Sequence, residues 1–184
     1  MTESILAGKR FVSPETVVSH FHVREGDSVA DYGAGAGFYV QLLSKKVGQT
    51  GTVYACEIQK ELVERIGTIT RTNGIHNVRP LWCDVEMEKG SKIPDGVIDI
   101  GLLINTLFQL QEKEIALREI ARTIRSGGKL YVVEWSDSFG GLGPQPSEII
   151  SLQQTQALCE GCGFIYENEF DAGDHHYGVS FRKI

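Results

Sequence analysis

The sequence predicts an α/β fold in which a mostly parallel sheet is covered by helices on both faces. Apolar, strand-like runs alternate with helix-patterned segments along nearly the whole chain, the order expected of consecutive strand–helix–strand units. The first unit joins an apolar run, Val29 to Asp31, to a helical segment through the glycine-rich turn Gly33-Ala34-Gly35-Ala36-Gly37. Three of the strand-like runs end on a carboxylate, at Asp31, Glu57 and Asp84. In an open sheet of this kind ligands lie outside the carboxyl ends of the strands, so these three acids are expected to line one crevice.

At 184 residues the chain suffices for one domain burying on the order of 70% of its unfolded surface, and is short for two. A single domain over residues 1–184 is expected, with 1–12, which show no period, as an N-terminal arm. The net charge of -6 argues against a nucleic-acid partner, which calls for a basic face. The start Met1-Thr2-Glu3-Ser4 has neither the basic residues nor the apolar core of a signal peptide. The longest apolar stretch, 97–108, is interrupted by Asp99, Asn105 and Thr106, so no membrane span is expected. Together with four cysteines set mostly in apolar runs, this gives an expected cytoplasmic location with reduced thiols.

Taken in order, Ser13-Pro14-Glu15 reads as cap, first-turn proline and first-turn acid of a helix reaching His20, with Val17, Val18 and Phe21 on one side. The first strand covers Ser28 to Asp31, and a helix from Phe38 to Val47 stops at Gly48 with Lys45 and Lys46 in its last turn. Thr52 to Glu57 is the second strand. Gln59 to Thr72 is a helix carrying Leu62, Val63, Ile66 and Ile69 at helical spacing, stopped by Asn73-Gly74. Val78 to Cys83 is the third strand, followed by a polar connection from Glu86 to Gly96. Val97 to Ile104 is apolar almost throughout, as a strand at the buried centre of a parallel sheet must be. A helix over Glu112–Arg125, with Ile115, Ile120, Ala121 and Ile124 inward, ends at Ser126-Gly127-Gly128 before a fifth strand, Lys129 to Trp135. After a Gly- and Pro-rich loop, Ser147 is expected to cap a helix to Glu160. Phe164–Phe170 and Val179–Lys183 then alternate as two antiparallel strands.

The glycine loop discriminates among ligands. A dinucleotide site of the form G-x-G-x-x-G needs glycine where Phe38 stands, and no Lys-Ser or Lys-Thr pair supplies a P-loop. An acid at the strand end is a poor neighbour for pyrophosphate and a good one for an ammonium group. The pattern D-x-G-x-G-x-G resembles the first motif of the class I S-adenosylmethionine-dependent methyltransferases. The segment Leu117-Arg118-Glu119-Ile120-Ala121-Arg122-Thr123-Ile124-Arg125-Ser126-Gly127-Gly128-Lys129-Leu130 is similar to the helix, turn and strand of the ubiquinone/menaquinone-biosynthesis-type branch.

That resemblance implies a Rossmann-like seven-stranded sheet in the order 3-2-1-4-5-7-6, last strand antiparallel. It implies S-adenosylmethionine as cofactor, bound by Asp31, Gly33, Ala34, Gly35, Gly37, Tyr39, Glu57, Ile58, Asp84, Val85 and Asn105. Within that set, Glu57 would accept from the ribose hydroxyls, Asp84 from the adenine amino group, and the Val85 N–H would reach a ring nitrogen. The leading helix would pack beside the pocket. Asn105-Thr106-Leu107-Phe108 departs from the [DN]-P-P-[YF] motif of amino methylation on DNA bases or glutamine, which favours a small-molecule acceptor over these. Where the acceptor must lose a proton, the clustered His175 and His176, beside Tyr177 in the last connection, are the candidate catalytic residues, His176 foremost. Cys159-Glu160-Gly161-Cys162 has no second pair to complete a zinc site, so no metal is expected; Cys159 should pack inward and Cys162 lie in the following turn. A cofactor-binding module without turnover, acting as a partner subunit, and a protein methyltransferase are the alternative readings. A homo-oligomer is compatible with a pocket that neither the N-terminal residues nor 136–146 are long enough to cover with a large lid.

Overall fold

The computed structural model describes residues 14–139 and 143–184. Its strands are β1 (Ser28–Tyr32), β2 (Thr52–Glu57), β3 (Val78–Trp82), β4 (Ile98–Ile104), β5 (Ile124–Trp135), β6 (Phe164–Phe170) and β7 (His176–Lys183). The α-helices are α1 (Pro14–Ser19), α2 (Val40–Val47), α3 (Lys60–Thr72), α4 (Lys113–Thr123) and α5 (Leu152–Gly161). The seven strands form one sheet in the order β3-β2-β1-β4-β5-β7-β6, with β7 antiparallel to both neighbours and the other pairings parallel. This is the Rossmann-like order expected from the sequence. The expected arm, 1–12, and the Ser13 cap lie outside the described residues.

Alternating side chains of the central strands feed two separate cores, one on each face. Val29, Val53, Leu102 and Tyr131 face α1, α2 and α3, where Val18, Leu43 and Ile66 meet them. Ala30, Leu103, Val132 and Phe181 face α4 and α5, where Leu117, Ile120 and Cys159 meet them. Burial on both faces explains why β4 is apolar almost from end to end. Strand order turns back between β1 and β4, which opens a crevice at their carboxyl ends.

Several boundaries differ from the sequence expectation for physical reasons. Helix α2 begins at Val40 rather than Phe38, because Gly35 and Gly37 take positive φ and keep the chain in tight turns to Tyr39. Helix α4 ends at Thr123, and the Ser126-Gly127-Gly128 segment is an outward bulge within β5: Ile98 pairs with Ile124 but Ile100 pairs with Lys129. Ile115, expected inside, is exposed; Ala116 and Leu117 take the inner face with Ile120 and Ala121. On α3, Ile66 and Thr70 are the buried positions. Ser147 lies in a short 3₁₀ turn, and Ser151 caps α5 instead, accepting from the Gln154 N–H while the Gln154 side chain accepts from the Ser151 N–H. Strand β7 starts at His176, three residues before the expected Val179, so His176 and Tyr177 are strand residues. Cys159 is fully buried and Cys162 follows α5 as its C-terminal cap, both as expected.

The polar connection between β3 and β4 is held by one buried acid. Glu119 of α4 accepts from the Lys89 and Ser91 N–H groups, the Ser91 hydroxyl, and Nε and Nη2 of Arg122, which also pairs with Asp95. Burial alone would raise this carboxyl, but the bonds from Arg122 and Ser91 outweigh it and hold it at about 2. Because the folded-state value lies below the ordinary 4.5, the stabilisation is present above about pH 4.5 and is lost as pH falls toward 2. Glu119→Gln is therefore expected to lower stability at pH 7 by roughly 2–4 kcal/mol. In denaturant titrations of both proteins, that difference should shrink as the pH is taken below 4.5.

Candidate functional site

A cavity of about 510 Å³ occupies the crevice at the carboxyl ends of β1, β2, β3 and β4. It falls in the size range of small-molecule sites. Ten of the eleven sequence-predicted cofactor residues line it: Asp31, Gly33, Ala34, Gly35, Tyr39, Glu57, Ile58, Asp84, Val85 and Asn105. Gly37, the eleventh, shapes the loop from behind; its N–H donates to the Ala34 carbonyl and its α-carbon packs toward Ile66. Helix α1 is not part of the lining. It joins the core on the face of α2 and α3 through Val17 and Val18, and Phe21, just beyond the helix, packs against Tyr131 and Phe170.

Asp31, the next-to-last residue of β1, is 1% exposed, and its Oδ2 is buried with no hydrogen-bond partner. Burial first, and then the charge of Glu57, push its carboxyl up to about 7. An acid in this state calls for a cation: a bound ammonium group would supply the missing partner and favour the ionised form. Glu57, at the end of β2, accepts from the Gly35 N–H through Oε2 and from the Gln59 N–H through Oε1, both at 2.9 Å. Each carboxylate oxygen has a second lone pair, so a ligand diol could be accepted in addition. Asp84 follows β3, where its Oδ1 accepts from the Glu86 N–H and its own N–H donates to Gly90. With Glu86 also in the wall, four carboxylates surround the cavity, a field that opposes phosphate and attracts positive charge.

The glycine loop brings backbone to the cavity edge. A Cβ at Gly35 would meet nothing within 4 Å, so a ligand can approach its backbone directly. Gly33 is instead pressed against the far wall: a Cβ there would fall 2.7 Å from the Thr106 methyl group and closer still to its hydroxyl. Asn105 stands in that wall with φ of 52° and a buried, unpartnered Oδ1. A non-glycine residue held in the left-handed region beside a cavity marks a position fixed by its surroundings.

His175, His176 and Tyr177 are not among the lining residues. They lie farther along the same edge, where β7 meets the end of β5: His176 pairs with Trp135 and Tyr177 with Glu134. The Tyr177 phenol donates to the Ile150 carbonyl and is bonded to the Thr155 hydroxyl, which fixes it in the packing under α5. His175 bonds Asp137 at 2.7 Å and stacks on Phe139, with φ of 69°. His176 packs on the Trp135 ring. Burial leads in lowering its imidazole, and its Nε2 is enclosed without a partner.

Sequence reasoning passed over several wall residues, among them Gln109, Leu110 and Leu62. It also passed over Glu134, which is 1% exposed and whose Oε1 accepts from the Leu107 N–H at 2.6 Å. A signal for Glu134 was available: it is a fourth carboxylate at a strand's carboxyl end, inside the otherwise apolar run Leu130 to Trp135. Among the described residues no group of three or more His, Cys, Asp or Glu is placed to hold a metal, and no helix is long and apolar enough to cross a membrane.

A family model described as a methyltransferase domain matches residues 24–171. The ubiquinone/menaquinone biosynthesis C-methyltransferase UbiE of Chromobacterium violaceum is 30% identical over 122 residues, 66% of this chain and 48% of that protein. Its counterpart from Cupriavidus taiwanensis is 34% identical over 116 residues, 62% of this chain and 45% of that protein. The chain thus spans about half the length of these curated relatives. A crystal structure of a SAM-dependent methyltransferase from Aquifex aeolicus superposes with a TM-score of 0.86 at 29% identity, over 95% of this chain and 91% of that one. A geranyl diphosphate methyltransferase solved in complex with SAM shares the fold, with a TM-score of 0.76 at 14% identity, over 93% of this chain and 84% of that one.

Proposed function

Since the chain belongs to the class I S-adenosylmethionine-dependent methyltransferases, we propose that it transfers a methyl group from that cofactor to a small-molecule acceptor. The observation that supports this reading most is the buried Asp31 carboxylate, lacking a partner on one oxygen and placed beside an open glycine loop and Glu57. In this reading Asp31 takes the cofactor's ammonium group, and Gly33, Ala34 and Gly35 admit its amino-acid portion at backbone distance. Glu57 accepts from the ribose hydroxyls and Ile58 covers one face of the adenine. Asp84 and the Val85 N–H serve the adenine edge, and Tyr39 closes the loop side. Asn105 stands at the methyl end, opposite the glycine loop.

When bound, S-adenosylmethionine supplies an electrophilic methyl group on a sulfonium, already activated for in-line displacement. The chain's own residues then have mainly to align the acceptor and strip water from its path. Thr106, Gln109 and Leu110 form the wall on that side. For an acceptor that must lose a proton we propose His176: its imidazole is held below the ordinary 6.5, hence neutral near pH 7, and its Nε2 has no partner. Tyr177, committed to Ile150 and Thr155, is a support for that strand. The C-methyltransferase relatives make a carbon acceptor the first class to try.

Incubation with methyl-labelled S-adenosylmethionine and a panel of small phenols, quinols, amines and thiols tests the reading. At least one acceptor is expected to yield labelled product and S-adenosylhomocysteine above the acceptor-free background. Cofactor binding with no transfer across the panel or to protein substrates would overturn it in favour of a silent module.

A further inference from the structure

We propose that Glu134 is a positioning residue: its carboxylate fixes the turn after β4 against the glycine loop, and thereby sets Asn105 and Thr106 at the methyl end of the cavity. This rests on the reading of the cavity as the cofactor site. The turn itself, 3₁₀ helix Leu107–Gln109, has no side-chain cap of its own: the Thr106 hydroxyl turns back to donate to the Ile104 carbonyl and accepts from none of the turn's N–H groups. Its first N–H groups would otherwise be left without acceptors in a buried place. Glu134 reaches across from β5 and takes both, Leu107 at 2.6 Å and Phe108 at 3.4 Å, through the single oxygen Oε1.

The linkage from there to the cavity is short. The residues just before the capped turn are Asn105 and Thr106, and the turn ends in Gln109 and Leu110; all four line the cavity. Asn105 is anchored by its N–H to the Val133 carbonyl and by the Gln109 side chain donating to its own carbonyl, both at 2.8 Å. Thr106 presses on the α-carbon of Gly33. Glu134, Leu107, Thr106 and Gly33 therefore form a continuous contact from the far side of the sheet to the glycine loop. For packing alone a carboxylate is a poor choice here, since Oε2 is buried without a partner and burial pushes the group up to about 7. Charge on Oε1 strengthens its hold on two backbone donors in a dry setting, which a neutral acceptor does less well. The titratable side chain that faces Glu134 from β7 is Tyr177, backed by Cys159 of α5; burial raises both, so they keep their protons through the neutral range.

Amide hydrogen exchange on the ligand-free full chain, paired with calorimetric titration by S-adenosylhomocysteine, tests this in Glu134→Ala, Glu134→Asp and Glu134→Gln. In the alanine variant, exchange at Leu107 and Phe108 should accelerate about 100-fold, with β1, β2 and α3 still protected, and affinity should fall about tenfold or more. The glutamine variant keeps an acceptor at Oε1. It should restore protection and bring affinity to within about threefold of wild type at pH 6, with the gap widening by pH 8 as the wild-type carboxylate ionises. Should the alanine variant not fold, the aspartate variant, one methylene too short to reach the turn, carries the same expectation. Unchanged protection at Leu107 and Phe108, or unchanged affinity despite lost protection, in whichever of these folds would overturn the proposal. A wild-type chain that ignores S-adenosylhomocysteine would count against the cofactor reading, while the exchange measurement would still decide whether Glu134 caps the turn.

Discussion

Asp31→Asn is expected to weaken cofactor binding about 100-fold or more while making the free chain more stable. Asp31 is enclosed, and its carboxyl stands at about 7 against an ordinary value of 3.8. The unfolded chain gives up this proton at lower pH than the folded chain does. The favourable contribution of the protonated side chain is therefore complete below about pH 4 and is lost as pH rises toward 7. Above that, the fold carries an ionised carboxylate with a buried, unpartnered oxygen, and asparagine removes that charge. Allowing for the amide's own unmet hydrogen bond, the net gain should be roughly 1–3 kcal/mol at pH 8, a rise in Tm of about 2–10 °C. Near pH 4 the gain should vanish. Binding moves the opposite way: without the charge, the cofactor's ammonium loses its counter-ion, and affinity should drop about 100-fold or more. Thermal melts at pH 4 and pH 8, with and without S-adenosylhomocysteine, read both effects. A variant that melts lower than wild type at pH 8 would mean that Asp31 has a stabilising partner in the free protein.

Two glycines two positions apart should fail in different ways. Gly35→Ala is expected to fold with a modest loss, about 1–2 kcal/mol for holding a side chain at a φ of 54°, because no atom stands within 4 Å of the new methyl. Its affinity for S-adenosylhomocysteine should nevertheless fall tenfold or more, since the methyl occupies space that the cofactor's backbone-facing end requires and disturbs the Gly35 N–H bond to Glu57. Gly33→Ala is expected to lose roughly 2–4 kcal/mol of stability before any ligand is added, because the methyl drives into Thr106 at a φ of 87°. Chemical denaturation alongside titration separates the two patterns. A Gly35→Ala protein that binds as wild type would show that the ligand does not pass over this loop.

The fold was legible because its signals repeat. The central parallel strands are apolar on both faces, helix patterns alternate with the strands, and carboxylates at 31, 57 and 84 mark one edge. Most of the cavity lining was legible for the same reason, since Asp31, Glu57 and Asp84 each sit at or just beyond a strand's carboxyl end. What the sequence hid depends on contacts between distant segments. Thr106 against Gly33 and Glu134 on the Leu107 N–H join positions 27 to 73 residues apart, and no local pattern encodes them. His176 and Tyr177 looked like loop residues because the Gly173-Asp174 turn precedes them; pairing with Trp135 and Glu134 draws them into the sheet. The α5 cap was misplaced by four residues because Pro146 offered a second proline-led start, which the chain uses for a single 3₁₀ turn.

The most direct measurement is calorimetric titration of the wild-type chain with S-adenosylmethionine and S-adenosylhomocysteine at pH 6 and pH 8, in two buffers of different ionisation enthalpy. One equivalent should bind in the micromolar range, with affinity rising from pH 6 to pH 8 and proton release at pH 6, as Asp31 gives up its proton to pair with the ligand's ammonium. A folded sample that binds neither compound, or binds them with no proton release, would contradict the assignment of Asp31 and of the cavity around it.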